Sequence, residues 1–221
     1  MRSKNKLTHS KENIMQNYNL KNKETPITEF QKIDNLIPES FINLLEIELM
    51  NMSSWLYVDS ASGTSNSFNR EDTNVVDSFQ FSHIIYDFEH GVSSHLWDQI
   101  KPMLWFLEDK TGYKVHDIYR IKANLLLPCN TEKNNYNIPH TDHDLKDYTS
   151  MVYYVNHSDG DTRIFNEHLE NGPYNLTVSE SNSPQRGSAI LFPSTQYHCS
   201  SNPIQSKTRF IINFVLKLSK N

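Results

Sequence analysis

Ile138-Pro139-His140-Thr141-Asp142 is the stretch on which the reading of this chain turns. Proline stiffens the backbone just before the histidine, and in an extended segment residues two apart share a face. His140 and Asp142 therefore aim an imidazole and a carboxylate the same way, with Thr141 turned from them. Downstream come a lone His198 and then Arg209. Two neutral imidazoles and one carboxylate are the donor set that caps one face of an octahedral Fe(II) and leaves the opposite face open. Arg209 adds a planar fork of donors suited to gripping a carboxylate, as a dianionic co-substrate requires.

Spacing alone does not single these residues out. With ten histidines in the chain, roughly one His-x-Asp is expected by chance. His157-Ser158-Asp159 repeats the spacing, and His168-Leu169-Glu170 is its glutamate version. The first lies within Asn156-His157-Ser158-Asp159-Gly160-Asp161, a hairpin-turn composition, and the second just precedes Asn171-Gly172-Pro173, another turn. His198 taken alone reads equally well as a core or surface histidine. The block Pro184 to Pro193, a turn and a glycine leading into an apolar strand, delivers it after a short polar connection. Lys207 competes with Arg209 as an anchor, but it follows the solvated turn 202–206, whereas Arg209 opens the near-continuous apolar run Arg209 to Leu216.

Working outward, 221 residues with 37% hydrophobic content and a net charge of −5 describe one ordinary globular core. That charge disfavours a general nucleic-acid surface. Two cysteines, Cys129 and Cys199, are too few for a disulfide framework and point to a reducing, cytoplasmic setting. No apolar run approaches the length of a membrane helix, and the N-terminus lacks the apolar segment of a signal peptide. Residues 1–26, rich in Lys, Asn, Glu and Ser, read as a flexible tail, and 27–221 as a single domain.

Within that domain, Phe30 to Leu36 reads as a strand and Pro38 to Leu49 as a helix with an apolar stripe. Residues 59–74 read as a loop and 75–88 as a strand. Gly91 to Lys110 reads as a second helix, broken or kinked at Pro102 and stopped by Gly112. Trp97 and Trp105 on that helix, and Trp55 before it, read as core. Short β-rich runs follow at 113–127, 138–142, 148–156, 161–166, 173–179, 188–193, 196–200 and 207–218, with a polar loop at 129–137. The expected class is α+β and mainly β: a double-sheet, cupin-like jelly roll with its core at about 113–218, buttressed by the N-terminal helices.

Three further blocks accompany the His-x-Asp, distal His and Arg: Met151-Val152-Tyr153-Tyr154-Val155-Asn156, Gly160-Asp161-Thr162-Arg163-Ile164-Phe165, and Pro184 to Phe192. In this order the chain resembles the 2-oxoglutarate- and Fe(II)-dependent dioxygenases, most closely the prolyl 4-hydroxylase-like branch. The resemblance implies a double-stranded β-helix with His140, Asp142 and His198 as catalytic iron ligands and Arg209 on the far carboxylate of 2-oxoglutarate. By the same resemblance Tyr154 helps to hold that carboxylate, although a core aromatic is an equal reading of it. Asn124 is the nearest equivalent of a further co-substrate contact that is often a tyrosine, a departure from the family. Implied cofactors are Fe(II), 2-oxoglutarate and O2, with ascorbate as a stimulant. The implied substrate is a peptidyl proline first, with another protein side chain, a free amino acid or a nucleobase as alternatives. Two other classes stay open: a cupin-like metalloenzyme that does not use 2-oxoglutarate, and a non-catalytic jelly-roll binding module.

Overall fold

The structure, a computed structural model, describes residues 26–62 and 74–220. All but the last residue of the tail expected over residues 1–26, and most of the loop expected at 59–74, lie outside them. Among the described residues there are two α-helices, α1 (Glu39–Asn51) and α2 (Trp97–Thr111), and a short 3-10 turn at Leu169–Asn171. The strands are β1 (Gln31–Ile33), β2 (Leu56–Val58), β3 (Val75–Val76), β4 (Gln80–Asp87), β5 (Gly91–Val92), β6 (Tyr113–Leu126) and β7 (Tyr136–Asn137). They continue with β8 (Tyr148–Tyr154), β9 (Thr162–His168), β10 (Val178–Asn182), β11 (Ala189–Pro193), β12 (Gln196–Ser200) and β13 (Arg209–Lys220). The major sheet runs β1-β11-β8-β13-β6-β4-β2, with β5 paired to β4, and the minor sheet runs β10-β9-β12. Both are antiparallel.

Strand alternation sorts the side chains into two environments. Met151 and Tyr153 of β8, Phe210, Ile212 and Phe214 of β13, and Ile121 and Ala123 of β6 join Leu45 and Leu49 of α1 and Ile100 and Leu107 of α2 in the main core. The intervening residues face the minor sheet: Val152 and Tyr154, Ile190 and Phe192, and Ile211 pack with Ile164 of β9. On this inner face cross-strand register aligns rows. Lys122 of β6 stands opposite Asn213 of β13, Asn124 opposite Ile211, and Leu126 opposite Arg209. Polar groups therefore occupy an inner face whose outer side is apolar, an arrangement that costs stability unless the polar groups find partners or a ligand.

Several elements differ from the sequence reading. The expected strand at 138–142 is reduced to a single bridge between His140 and His198, because Pro139 has no N–H to offer a ladder; the short β7 falls before it, at the end of the loop expected at 129–137. The expected strand at 173–179 starts only at Val178, since the chain is still turning at Asn175, where φ is 56°. Helix α2 starts at Trp97, not Gly91. Gly91 (φ 75°) and Val92 fold back on β4 as a hairpin instead. The helix is continuous through Pro102, which removes one backbone donor near its start. Trp105 faces solvent at 63% exposure, which corrects its reading as core; Ile100, Met103, Leu104 and Leu107 mark the buried stripe, and position 105 falls outside it. Strand β2 has no counterpart in the reading. Both cysteines are free thiols, and no described helix is long and apolar enough to cross a membrane.

Gly160 shows how tightly the turn after β8 is packed. A Cβ there would lie 2.5 Å from the Ser201 carbonyl oxygen and 3.0 Å from the Pro203 nitrogen, both backbone atoms that cannot move aside cheaply. Gly160→Ala is expected to destabilise the protein by about 1–3 kcal/mol through overpacking. A lowered urea midpoint at unchanged slope is the measurement, and a midpoint equal to that of the parent protein would refute the assignment.

Candidate metal centre and co-substrate anchor

The two histidines meet because their backbones do. His140 N–H donates to the His198 carbonyl and His198 N–H to the His140 carbonyl, each at 2.9 Å, which sets the ring centroids 4.5 Å apart. Asp142 is brought alongside by its own N–H, which donates to the Ser194 carbonyl at 3.0 Å. One ligand atom from each of His140, Asp142 and His198 lies within 4.8 Å of the others, and His198 Nε2 is 3.4 Å from Asp142 Oδ2.

Surrounding groups orient all three. Nδ1 of His198 lies 3.1 Å from the Gln196 carbonyl, and Nδ1 of His140 lies 3.4 Å from that of Ile138. A carbonyl only accepts, so each Nδ1 carries the proton and each Nε2 presents a lone pair to the shared centre. Asp142 Oδ1 accepts from Arg120 Nη2 at 2.8 Å, while Oδ2 accepts from Ser150 Oγ at 2.7 Å and Asn213 Nδ2 at 3.0 Å.

Electrostatics favour the same protonation states. Burial first, and then the neighbouring His198, push His140 down to about 3; burial likewise lowers His198. Burial works to raise Asp142, but attraction to His198 and then Arg120 overcomes it and leaves the carboxyl below the ordinary carboxylate range. Near neutral pH the cluster is two neutral imidazoles and one carboxylate, the protonation state metal ligation requires. The donor set fits Fe(II).

Along β13 from the triad, Arg209 is 2% exposed and lines the same cavity as His140, Asp142 and His198. Its Nε donates to the Gly160 carbonyl at 2.7 Å and its Nη2 to Thr162 Oγ1 at 2.7 Å. Nη1 makes no hydrogen bond among the described residues. A buried guanidinium held by two neutral acceptors, with no ion pair to a carboxylate among the described residues, fits an anionic guest.

Tyr154 stands one bond back from the cavity. Its hydroxyl donates to Thr162 Oγ1 at 2.8 Å, so Thr162 accepts from both Tyr154 and Arg209 and its own hydroxyl proton is left for another acceptor. Asn124 lines the cavity wall. Its Nδ2 donates to Gln80 Oε1, and its buried Oδ1 has no partner. The competing motifs stay apart from the cluster. Asp159 accepts the backbone N–H groups of Ile204, Gln205 and Ser206 and closes a turn, and His168 Nδ1 lies 3.0 Å from Thr195 Oγ1.

Sequence reading did not single out Arg120, Ser150, Asn213, Thr162 or Lys122. Arg120, Lys122 and Asn124 alternate along β6 and Thr162 sits two residues after Gly160, but only strand register shows that these positions share a cavity. Lys122 is pushed down to about 8 from an ordinary 10.5, by burial first and then by repulsion from Arg120, with Asp142 opposing. Between those two values the unfolded chain binds the proton and the folded one has lost it, so stability rises with pH across that window. Below pH 8 both states are protonated and the burial penalty is felt in full. Lys122→Met should therefore stabilise the apoprotein at pH 7, by about 1–2 kcal/mol once the solvent contact of the stem is discounted, and the gain should shrink toward pH 10. Urea midpoints at the two pH values measure it; a gain that grows with pH would contradict the reasoning.

No family model matches the chain, and no curated protein matches it in sequence. Solved structures share its fold. An oxidoreductase of the 2OG-Fe(II) oxygenase family from Burkholderia pseudomallei superposes at TM-score 0.56 with 13% identity, over 87% of this chain and 85% of that one. A prolyl hydroxylase from Trichoplax adhaerens, in complex with a hypoxia inducible factor peptide fragment, gives 0.50 with 15% identity over 97% and 94%. The epimerase SnoN, in complex with Fe3+, alpha ketoglutarate and nogalamycin RO, gives 0.54 with 9% identity over 86% and 78%. The fold is thus the jelly roll of the 2-oxoglutarate/Fe(II) oxygenases, prolyl hydroxylases among them.

Proposed function

We propose that this chain is an Fe(II)- and 2-oxoglutarate-dependent oxygenase, a hydroxylase of a peptidyl or small-molecule substrate. The observation that carries the reading is that three ligand atoms converge within 4.8 Å in the cavity that the buried Arg209 also lines. In this reading His140, Asp142 and His198 hold the metal through two Nε2 atoms and a carboxylate oxygen. Arg209, through its free Nη1, holds the far carboxylate of 2-oxoglutarate, and the Thr162 hydroxyl donates to the same group. Tyr154 acts through Thr162, and Asn124 offers its remaining amide proton from the wall. Iron(II), with 2-oxoglutarate and O2, supplies the oxidative chemistry: hydroxylation of a C–H bond with release of succinate and carbon dioxide.

The protein's own part is to orient and to shield. Arg120, Ser150 and Asn213 fix the Asp142 carboxylate so that it need not reorganise. Val152 and Ile211 supply an apolar part of the cavity wall, packed with Ile164 behind it. The free thiols suit a reducing, cytoplasmic setting. The peptide of one neighbour and the small molecule of another leave both substrate classes in the reading, since a shared fold does not fix a substrate.

The test is succinate formation from 2-oxoglutarate under Fe(II), O2 and ascorbate, beside the melting shift given by Mn(II) with 2-oxoglutarate. Both are expected in the parent protein and absent in His140→Ala. Undiminished turnover in His140→Ala would overturn the metal site. A metal-dependent shift indifferent to 2-oxoglutarate would support the cupin-like alternative, and no metal-dependent shift at all the non-catalytic one.

A further inference from the structure

Lys122 is a cation that the oxygenase reading leaves unused. It projects from β6 into the cavity shared by the triad and Arg209, in the row opposite Asn213, whose amide holds Asp142. It therefore sits at the metal end of the cavity, two rows from Arg209. Among the described residues its ammonium makes no hydrogen bond and no ion pair. The one acidic group beside it, Asp142, already accepts from Arg120, Ser150 and Asn213.

Charge balance makes this unpaired lysine informative. An iron(II) ion, the Asp142 carboxylate, Arg209 and a 2-oxoglutarate dianion together sum to zero. Arg120 and Lys122 then remain as two positive charges in a partly buried site, where surplus charge is costly. A lysine there without an anion is poor for stability, and such sacrifices are characteristic of groups retained for function. Nothing in the described protein supplies the missing anion, so the guest must.

We propose that Lys122 receives a carboxylate of the primary substrate, so that this enzyme oxidises a carboxylic acid close to its acid group and not an internal prolyl residue lacking one. The inference rests on the oxygenase reading. Free acids and acidic side chains of peptides offer the same chemistry to Lys122. The rows favour the free acid: Lys122 lies beside the metal, so carboxylate and reacting carbon must be only a few bonds apart.

The full-length protein, loaded with Mn(II) and 2-oxoglutarate so that it cannot turn over, would be melted with a panel of free L-amino acids and short mono- and dicarboxylic acids. The same compounds as amides, and end-blocked peptides containing Asp, Glu or Pro, form the control arms. At least one free acid is expected to raise the melting temperature further, its amide is not, and Lys122→Gln or Lys122→Met weakens that acid about 10-fold or more by titration calorimetry. Both variants should keep the shifts given by Mn(II) and 2-oxoglutarate alone, which also shows that they fold. A blocked acidic peptide that binds in place of the free acids would keep the carboxylate at Lys122 and change only its source.

Four results would overturn the proposal: no acid binds; amides bind as well as acids; the variants bind the acid unchanged; or the variants lose the 2-oxoglutarate shift, which would assign Lys122 to the co-substrate. Absence of any Mn(II)-dependent shift in the parent protein would instead defeat the oxygenase reading, and this inference with it.

Discussion

Asp142→Ala is expected to lose Mn(II)-dependent stabilisation and to fall at least about 1,000-fold in 2-oxoglutarate turnover, a change of about 4 kcal/mol in barrier. The substitution removes the only carboxylate of the proposed ligand set and leaves Arg120 and Lys122 facing the proposed metal position with nothing to offset them. The apoprotein should also melt lower, because the Arg120 guanidinium, 23% exposed, loses its carboxylate, and Ser150 Oγ and Asn213 Nδ2 lose their acceptor. Breaking such a pair typically costs about 3–5 kcal/mol when fully buried, and the partial exposure of Arg120 places this one at the lower end. Asp142→Asn separates the two losses. Its amide oxygen can still accept from Arg120 or Asn213, so much of the stability should return while metal binding does not. Wild-type Mn(II) affinity in either variant, measured by titration calorimetry, would remove Asp142 from the ligand set.

Arg209→Met is expected to weaken 2-oxoglutarate by about 2–5 kcal/mol, the usual loss when one partner of a desolvated charge pair is truncated, with Mn(II) affinity retained. The apoprotein should tolerate the change, since a well-packed apolar side chain in place of a buried charge is often neutral or stabilising. The Gly160 carbonyl loses its donor, whereas Thr162 keeps Tyr154. Arg209→Lys keeps the charge but not the fork that engages Gly160 and Thr162 at once, and its affinity should fall between the two. Calorimetric titration of 2-oxoglutarate into the Mn(II)-loaded variants gives the ranking. An unchanged Kd in Arg209→Met would move the anchor elsewhere, and Lys122 would be the first place to look.

The contrast between Arg209 and Lys122 shows what could be read from sequence. Arg209 announced itself as a charged residue at the head of an apolar run, and His140 with Asp142 as a same-face pair flanked by strand and not turn chemistry. The jelly-roll class followed from many short β-rich runs after two amphipathic helices. Lys122 and Arg120 carry no local signal of their role, because nothing local says that β6 pairs between β4 and β13 and so turns one face toward the cavity. Thr162, Ser150 and Asn213 are small polar residues whose roles exist only through cross-strand neighbours. Where the reading erred in detail, local backbone chemistry had the last word: Pro139 cut short a strand, Asn175 delayed one, and Gly91 made a hairpin of what looked like a helix start. Tyr154 had two readings, and the geometry partly joins them: it is fully buried, yet it bonds to the threonine that holds Arg209.

The reciprocal backbone bonds between His140 and His198 bear on how the proposed metal site would acquire its ion. Two of the three proposed ligands are fastened in place by their own amide and carbonyl groups, and the third by the Ser194 carbonyl. These backbone bonds hold the donors independently of any coordination, so on the proposed reading metal loading requires little ordering of the chain. A chelator should strip the ion and leave the tertiary structure standing, unlike small zinc domains that collapse without their metal. On that reading such a polypeptide could be emptied, stored and recharged, and its occupancy would follow the supply of ferrous ion around it and not the history of its folding.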